Sequence, residues 1–359
     1  MNNIKQGLST PKLPGHVILF GSGEISASGR RVFNWLMNRL TQPIRVVVLE
    51  TPAGFQPNSA IVAGKVGDFL RRHLQNYKPE IVIVPARKHG TPYSPDDEGI
   101  ISPIRQADVI FLGPGSPTYA VSQLKGSLAW HTILARHYQG ASLVLASATT
   151  VAASNQALPV YEIYKAGADL FWHPGLDLFG PYGLSLVFIP HWNNREGGTE
   201  LDTSHCYMGQ DRFEQLLAML PSDTNVVGID EHTALIIDIV AKNCHVMGRG
   251  MITLLRQKEE QRLASGQTFD ISELGPFREV DPKSSIPSNI WESVLAAQYE
   301  AQDKADVEIP SEVLSLVQTR ESARASGDWE TADNLRKQIL DIGWQVNDTQ
   351  DGPQLMLLG

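Results

Sequence analysis

The sequence has little cysteine. Only Cys206 and Cys244 occur among 359 residues, and no CxxC pair exists. A disulfide scaffold is thereby excluded, and a zinc ribbon lacks its ligand set. No apolar run approaches the ~18 residues of a membrane-spanning helix. The segment Met1 to Pro14 is polar and has no apolar core of a signal peptide. Positive charge is also short: 30 Lys and Arg stand against 39 Asp and Glu, a net charge of -9. That balance disfavours nonspecific attachment to nucleic acid or an anionic membrane, both of which need clustered cations. The expectation left by these absences is a cytoplasmic protein with no membrane partner. Its length is enough for a large core and more than one domain.

What is present is alternation. His16–Phe20 reads as a strand with the exit loop Gly21-Ser22-Gly23-Glu24, and Ser26–Leu40 as a helix with Val32, Phe33, Leu36 and Leu40 at helical spacing. Strands follow at 44–49, 80–85 and 108–112, with helices at 59–77 and 118–138. Strands alternating with helices predict an α/β domain: a parallel sheet covered on both faces. Ligands of such sheets bind beyond the carboxyl ends of the strands. The loops 21–24, 51–54, 113–117 and 146–150 should therefore share one crevice. Further on, 184–190 reads as a strand. The segments 226–240 and 244–255 read as a closing antiparallel pair. The first domain is expected over 15–257, a linker with short helices over 258–308, and a helical hairpin module over 309–359.

The densest chemical signal is Ser142-Leu143-Val144-Leu145-Ala146-Ser147-Ala148-Thr149-Thr150. A buried strand breaks into small residues of helical character, and Ser147 stands at the break. That geometry makes a nucleophile elbow. Residues two before and two after an elbow nucleophile are usually very small, because the turn is crowded; here they are Leu145 and Thr149.

A serine hydroxyl needs a base. His191 is the candidate, because it ends an apolar strand expected in the same sheet. Glu162 is the candidate orienting acid: Val160, Tyr161, Ile163 and Tyr164 around it suggest partial burial, where a carboxylate needs a partner. The backbone amides of Gly115 and Ala148 are candidate oxyanion donors, whereas Pro114 has no N–H. Arg195 and Asn193 are candidates to grip a substrate carboxylate, which a guanidinium holds as a fork, and Glu196 in the same polar stretch is a further substrate-binding candidate. Asp230 and Glu231 lie inside the apolar segment 226–240 and are read as bracing groups, since carboxylates there need partners. A His205–Cys206 nucleophile pair is the weaker alternative, because adjacent residues of an extended segment face opposite ways. A metal set of His191, His205 and Glu196 is an alternative of similar weight to that pair, and no metal is assigned.

Four segments together resemble the dipeptidase E and cyanophycinase family of serine peptidases. They are Phe111-Leu112-Gly113-Pro114-Gly115-Ser116, Leu145-Ala146-Ser147-Ala148-Thr149, Pro190-His191-Trp192-Asn193-Asn194-Arg195 and Gly228-Ile229-Asp230-Glu231-His232-Thr233-Ala234-Leu235. The last is the most specific, and both elbow glycines of the family pattern are replaced. The resemblance covers roughly residues 15–256. It implies a three-layer, class I glutamine amidotransferase-like (flavodoxin-like) fold and a triad of Ser147, His191 and Glu162. It also implies acyl-enzyme cleavage of a small peptide or amide without metal or organic cofactor. A glutamine-driven amidotransferase would use cysteine at the elbow. A second reading remains open, a catalytically degenerate relative that binds a ligand or partner.

The C-terminal stretch Thr319–Arg336, with Asp348-Thr349-Gln350-Asp351-Gly352, resembles the C-terminal helical module of cysteinyl-tRNA synthetase. In the synthetase that module helps bind tRNA. Here 309–359 holds four basic residues (Arg320, Arg324, Arg336, Lys337) against eight acidic ones, the wrong balance for phosphate contact. A stability or docking module is the favoured expectation over tRNA binding. The linker would also permit docking on a second copy, so a homodimer is open.

Overall fold

The computed structural model describes residues 13–256, 259–281, 285–305, 310–349 and 352–357. The signal-peptide reading of residues 1–12, the domain end at residue 257 and the Gln350-Asp351 pair of the synthetase resemblance lie outside them. The chain divides into two units, 1–298 and 299–359.

The first unit is α/β, as the alternation implies. Five parallel strands form its centre: Val17–Phe20 (β1), Arg45–Leu49 (β2), Glu80–Val84 (β3), Val109–Leu112 (β4) and Ser142–Ala146 (β5). They lie in the order β1-β5-β4-β2-β3. Their side chains alternate between two cores. Val17 and Leu19 of β1, with Leu143 and Leu145 of β5, face one; Ile18 and Phe20, with Val144 and Ala146, face the other. Helix Leu128–Tyr138 covers the first face with Ala129, Trp130 and Ile133. Helices Ala27–Met37 and Ser59–His73 cover the second with Phe33, Leu36, Val66 and Leu70. Each such fully buried aliphatic or aromatic side chain contributes about 1.5–3 kcal/mol relative to exposure. The helix expected over 118–138 is two helices, Pro117–Leu124 and Leu128–Tyr138. Gly126 breaks it at φ +75°, and the Ser127 hydroxyl caps the second by accepting from the Trp130 N–H.

The rest of the unit departs from the expectation in a way that builds the site. A short bridge, Gln156–Ala157 (β6) with His173–Pro174 (β7), follows the elbow. The strand Leu186–Ile189 (β8), which delivers His191, lies in a second sheet and not beside β5. The segment 226–240 is not one strand. It splits into Asn225–Ile229 (β9), paired with β8, and Thr233–Asp238 (β10), paired antiparallel with β1. The segment 244–255 splits likewise into Asn243–Gly248 (β11), beside β10, and Met251–Arg256 (β12), beside β9. Both crossings leave one sheet for the other at the same level.

The expected linker begins as structure of this unit. Glu259–Ala264 (β13) pairs with β12, Thr268–Asp270 (β14) with β11, and the helix Ser288–Ala305 follows. Its polarity comes from its place at sheet edges, where Glu259, Glu260 and Arg262 are solvated. The large sheet therefore runs β14-β11-β10-β1-β5-β4-β2-β3 and the small one β13-β12-β9-β8. No helix among the described residues is long and apolar enough to cross a membrane.

In the second unit, helices Ser311–Ala325 and Trp329–Asp341 form the expected hairpin. Gly327 takes φ +77° at the turn, and Asp328 caps the second helix by accepting from the Thr331 N–H at 3.1 Å. Trp344–Thr349 (β15) and Gly352–Leu357 (β16) add an antiparallel hairpin that the helical expectation lacked. Val313, Val317, Ile339, Trp344 and Val346 form its core.

Candidate active site

β5 ends at Ala146, and the chain turns through Ser147 at φ +53°, ψ -106° into the helix Ala148–Ala152. A non-glycine residue in that region is strained by about 1–3 kcal/mol. The turn accommodates Leu145 and Thr149 because neither crowds it. Leu145 belongs to the core on the first sheet face. The Thr149 hydroxyl donates to the Leu112 carbonyl at 2.5 Å and accepts from the Ala146 N–H at 3.1 Å. It ties the elbow to the end of β4.

His191 stands just beyond β8, also left-handed at φ +49°. Two consecutive carbonyls at the end of β1 set the pair. The Ser147 N–H donates to Phe20 O (3.3 Å), and the His191 N–H donates to Gly21 O (3.2 Å). Gly21 is required there, since a Cβ would stand 2.2 Å from the Asp230 carbonyl oxygen. The side chains then meet: Ser147 Oγ lies 3.0 Å from His191 Nε2.

The carboxylate on the other ring nitrogen is Glu231. His191 Nδ1 lies 2.9 Å from Glu231 Oε1, and the Asn194 amide donates to the same oxygen at 3.0 Å. The bond from His191 holds the Glu231 carboxyl below its ordinary range; burial opposes this and Asn194 reinforces it. Glu162 is elsewhere. Its Oε1 accepts from the Thr118 hydroxyl at 2.6 Å. With both imidazole nitrogens taken by Ser147 and Glu231, no position at His191 remains for it, and the expected Ser147–His191–Glu162 alignment is corrected on that ground.

Glu231 reaches His191 because the chain crosses between sheets at 230–232, with His232 at φ +57°. Asp230 lies at this crossing: its buried carboxylate accepts from the Met251 N–H at 2.9 Å, and burial raises its pKa. Asn193 turns its side-chain oxygen to the Glu231 N–H (2.8 Å) rather than to a ligand, and Asn194 is 2% exposed. Asn194, unmarked in the sequence reading, thus locks the carboxylate.

Ser147 and His191 open onto a cavity of about 370 Å³. Gly115 and Ala148 border it. Their N–H groups have no acceptor among the described residues. A Cβ on Gly115 would stand 1.9 Å from Pro52 O. Lys165, Glu196 and Tyr207 also line the cavity. The Tyr207 hydroxyl donates to Glu196 at 2.9 Å, and its pKa is raised by burial and by that bond. Arg195 is exposed and does not line the cavity; the cation there is Lys165, which the sequence reading passed over.

Cys206 lines the cavity too, but burial pushes its thiol up to about 12, so it is not a competing thiolate. His205 bonds Ser204 Oγ and stacks on Phe213 at 4.5 Å. It therefore forms neither a nucleophile pair with Cys206 nor a metal set with His191 and Glu196. Among the described residues no group of three His, Cys, Asp or Glu is placed to hold a metal.

The first unit's architecture recurs in a crystal structure of a peptidase from an acI-B1 actinobacterium. The match has a TM-score of 0.58 and 22% identity, covering 73% of this chain and 98% of that one. At that identity the likeness is one of fold alone. The second unit has its own relatives: residues 306–354 match the cysteinyl-tRNA ligase anticodon binding domain family. Within it the chain is 46% identical to the cysteine–tRNA ligase of Methanosarcina mazei over 48 residues, and 51% identical to that of Chlamydia abortus over 49. These segments are 13% and 14% of this chain and 10% of each ligase. The chain thus spans about a tenth of the length of the ligases it matches.

Proposed function

We propose that the protein is a serine hydrolase that cleaves a small peptide or amide through an acyl-enzyme. The observation that carries this reading is the continuous relay Glu231–His191–Ser147, with Ser147 on a left-handed elbow. Glu231 accepts from His191 Nδ1 and keeps that nitrogen protonated, which leaves Nε2 as a base facing the serine hydroxyl. His191 takes the Ser147 proton as Oγ attacks the substrate carbonyl. The Gly115 and Ala148 amides receive the oxyanion, a contribution of the kind worth about 10²–10³ in rate per donor. The protonated His191 then returns its proton to the leaving amine, and water repeats the sequence to release the acid. Glu196, Tyr207 and Lys165 are positioned to orient the substrate, with Lys165 suited to a carboxylate. No step asks for a metal or organic cofactor.

Labelling by a fluorophosphonate tests this. Wild type should be modified at Ser147, located by mass spectrometry, and Ser147→Ala should not. A well-folded wild type that resists labelling would favour the second reading, a binding protein built on a hydrolase frame.

A further inference from the structure

The deeply buried lining of the catalytic cavity is apolar. Pro117, Ala148, Val151, Val160 and Cys206 all line it, and all are buried. Val151, Val160 and Cys206 belong to one core cluster, against which Tyr161, Tyr164 and Tyr207 pack. The floor of the cavity is thus the open edge of a core. Cys206 behaves there as a small hydrophobe, because its buried thiol stays protonated.

That floor offers a polar group almost nothing. The Val151 N–H donates to Ser147 O (3.1 Å), the Val160 N–H to Leu158 O (2.9 Å) and the Cys206 N–H to His191 O (3.2 Å). Pro117 has no N–H, and the Ala148 amide is reserved for the oxyanion. The charged residues of the lining, Lys165 and Glu196, are both exposed. The Lys165 ammonium lies 5.0 Å over the Tyr161 ring, and Glu196 accepts from the Tyr207 hydroxyl. A carboxylate or ammonium pushed down to the floor would lose its water and gain no partner. A methylene placed there would gain about fourfold in affinity. Val151 stands nearly one helical turn past Ala148, whose amide receives the oxyanion, whereas the leaving amine departs toward its proton donor, His191 Nε2. The floor therefore serves the acyl side of the scissile bond.

We infer that this floor is the subsite for an uncharged aliphatic side chain on the acyl residue of the substrate. Its place in a substrate rests on the hydrolase reading; its preference for an apolar group does not. Two measurements on the full chain separate them. In the first, ligand-observed NMR titrates Ser147→Ala with isocaproamide and with succinamate, in which a carboxylate replaces the isopropyl group. The neutral amide should bind more tightly by about tenfold or more. Adding Val160→Phe, which fills the cavity, should remove most of that binding. Adding Val160→Thr, of the same shape but with a hydroxyl, should narrow the difference severalfold. Melting curves establish that each variant folds. Equal binding of the two amides, tighter succinamate, or indifference to both Val160 substitutions overturns the subsite. In the second, wild type reacts with diphenyl esters of aminoalkylphosphonates, and the isobutyl compound should modify Ser147 about tenfold faster than the carboxymethyl one, or more. Comparable rates, alongside a clear preference among the amides, would overturn the subsite's place on the acyl residue. A Ser147 that resists every phosphonate and fluorophosphonate, in a protein that still prefers the neutral amide through Val160, would keep the apolar subsite and discard the hydrolase.

Discussion

Replacing Glu231 in two ways separates what its carboxylate does. In Glu231→Ala, His191 loses the acceptor 2.9 Å from Nδ1, and Asn194 loses its acceptor at 3.0 Å. The imidazole is then free to take the other tautomer or swing away. Loss of the acid in a serine–histidine–carboxylate relay costs about 10⁴ in rate. Glu231→Gln should behave differently because of Asn194. The Asn194 N–H group donates to the same oxygen that accepts from His191, so a glutamine turns its carbonyl oxygen, and not its amide nitrogen, to that point. The tautomer survives and only the charge is lost. A charge-assisted hydrogen bond contributes about 1.5–3 kcal/mol and a neutral one about 0.5–1.5. The difference of about 1–2 kcal/mol corresponds to about 5–30-fold in rate. The Glu231 side chain is 30% exposed, which screens the charge and favours the lower end. The assay is the second-order rate constant for fluorophosphonate modification of Ser147, with melting curves for both variants. The reasoning fails if Glu231→Ala labels within tenfold of wild type, or if the two variants are equally slow. A large loss in Glu162→Ala with near-normal Glu231→Ala would return the acid's part to Glu162.

Thr149→Gly, which restores the small residue usual at an elbow, should destabilise by about 2–4 kcal/mol: two hydrogen bonds are lost and a helical glycine is gained. Urea unfolding reads this, and faster labelling at undiminished stability would contradict it. Gly115→Ala sets a methyl against Pro52 O and must displace the Gly115 amide; a ~1 Å shift costs about a hundredfold, read as slower labelling while Ser147 and His191 remain paired. Glu24→Gln should stabilise at neutral pH. Burial raises the Glu24 pKa, so its favourable contribution is complete below the ordinary carboxylate range and is lost as pH rises through the folded value. Unfolding curves of the two proteins should then coincide in acid and separate toward neutrality; a constant gap would refute the assignment. In the second unit Arg320 and Arg324 are engaged by Asp348, which leaves Arg336 and Lys337 for phosphate. Binding of tRNA should therefore be weak, with a log–log salt slope no steeper than about -2; filter binding at several salt concentrations measures it, and a steep slope would restore a nucleic-acid role.

The elbow was legible because it is local. An apolar run, one serine and a stretch of small residues record a buried strand, a turn and a helix within a dozen positions. His191 was legible as the polar end of an apolar strand, although that strand lies in the second sheet. Glu231 was not, because its position depends on a break that composition conceals. The segment 226–240 is apolar on both sides of Asp230-Glu231-His232 and contains no proline at the crossing, so it reads as one long strand with carboxylates awkwardly inside. That awkwardness was the available signal: three polar residues in the middle of a long apolar run are better explained by two strands than by one. Glu162 misled for the opposite reason. Its surroundings do half-bury it, but toward Thr118. Residues 259–270 read as linker because edge strands are kept polar, which periodicity over three to six residues does not distinguish from a loop.

The position of the break explains the strain gathered around it. Ser147 comes from the large sheet, His191 from the end of the small one, and Glu231 from the chain passing between them. Nine described non-glycine residues have positive φ, and six of them, Ser147, His191, His205, Cys206, Tyr207 and His232, belong to this site or the turn beside it. Each costs about 1–3 kcal/mol, and the two cores of the large sheet are what offset it. A relay spread over a seam is sensitive to any sliding of one sheet on the other. The carbonyls of Phe20 and Gly21 oppose that sliding, since neighbouring residues of one loop hold the backbone of the nucleophile and the backbone of the base. Loosening that loop should therefore slow Ser147 more than it lowers the melting temperature, whereas loosening a core distant from the seam should do the reverse.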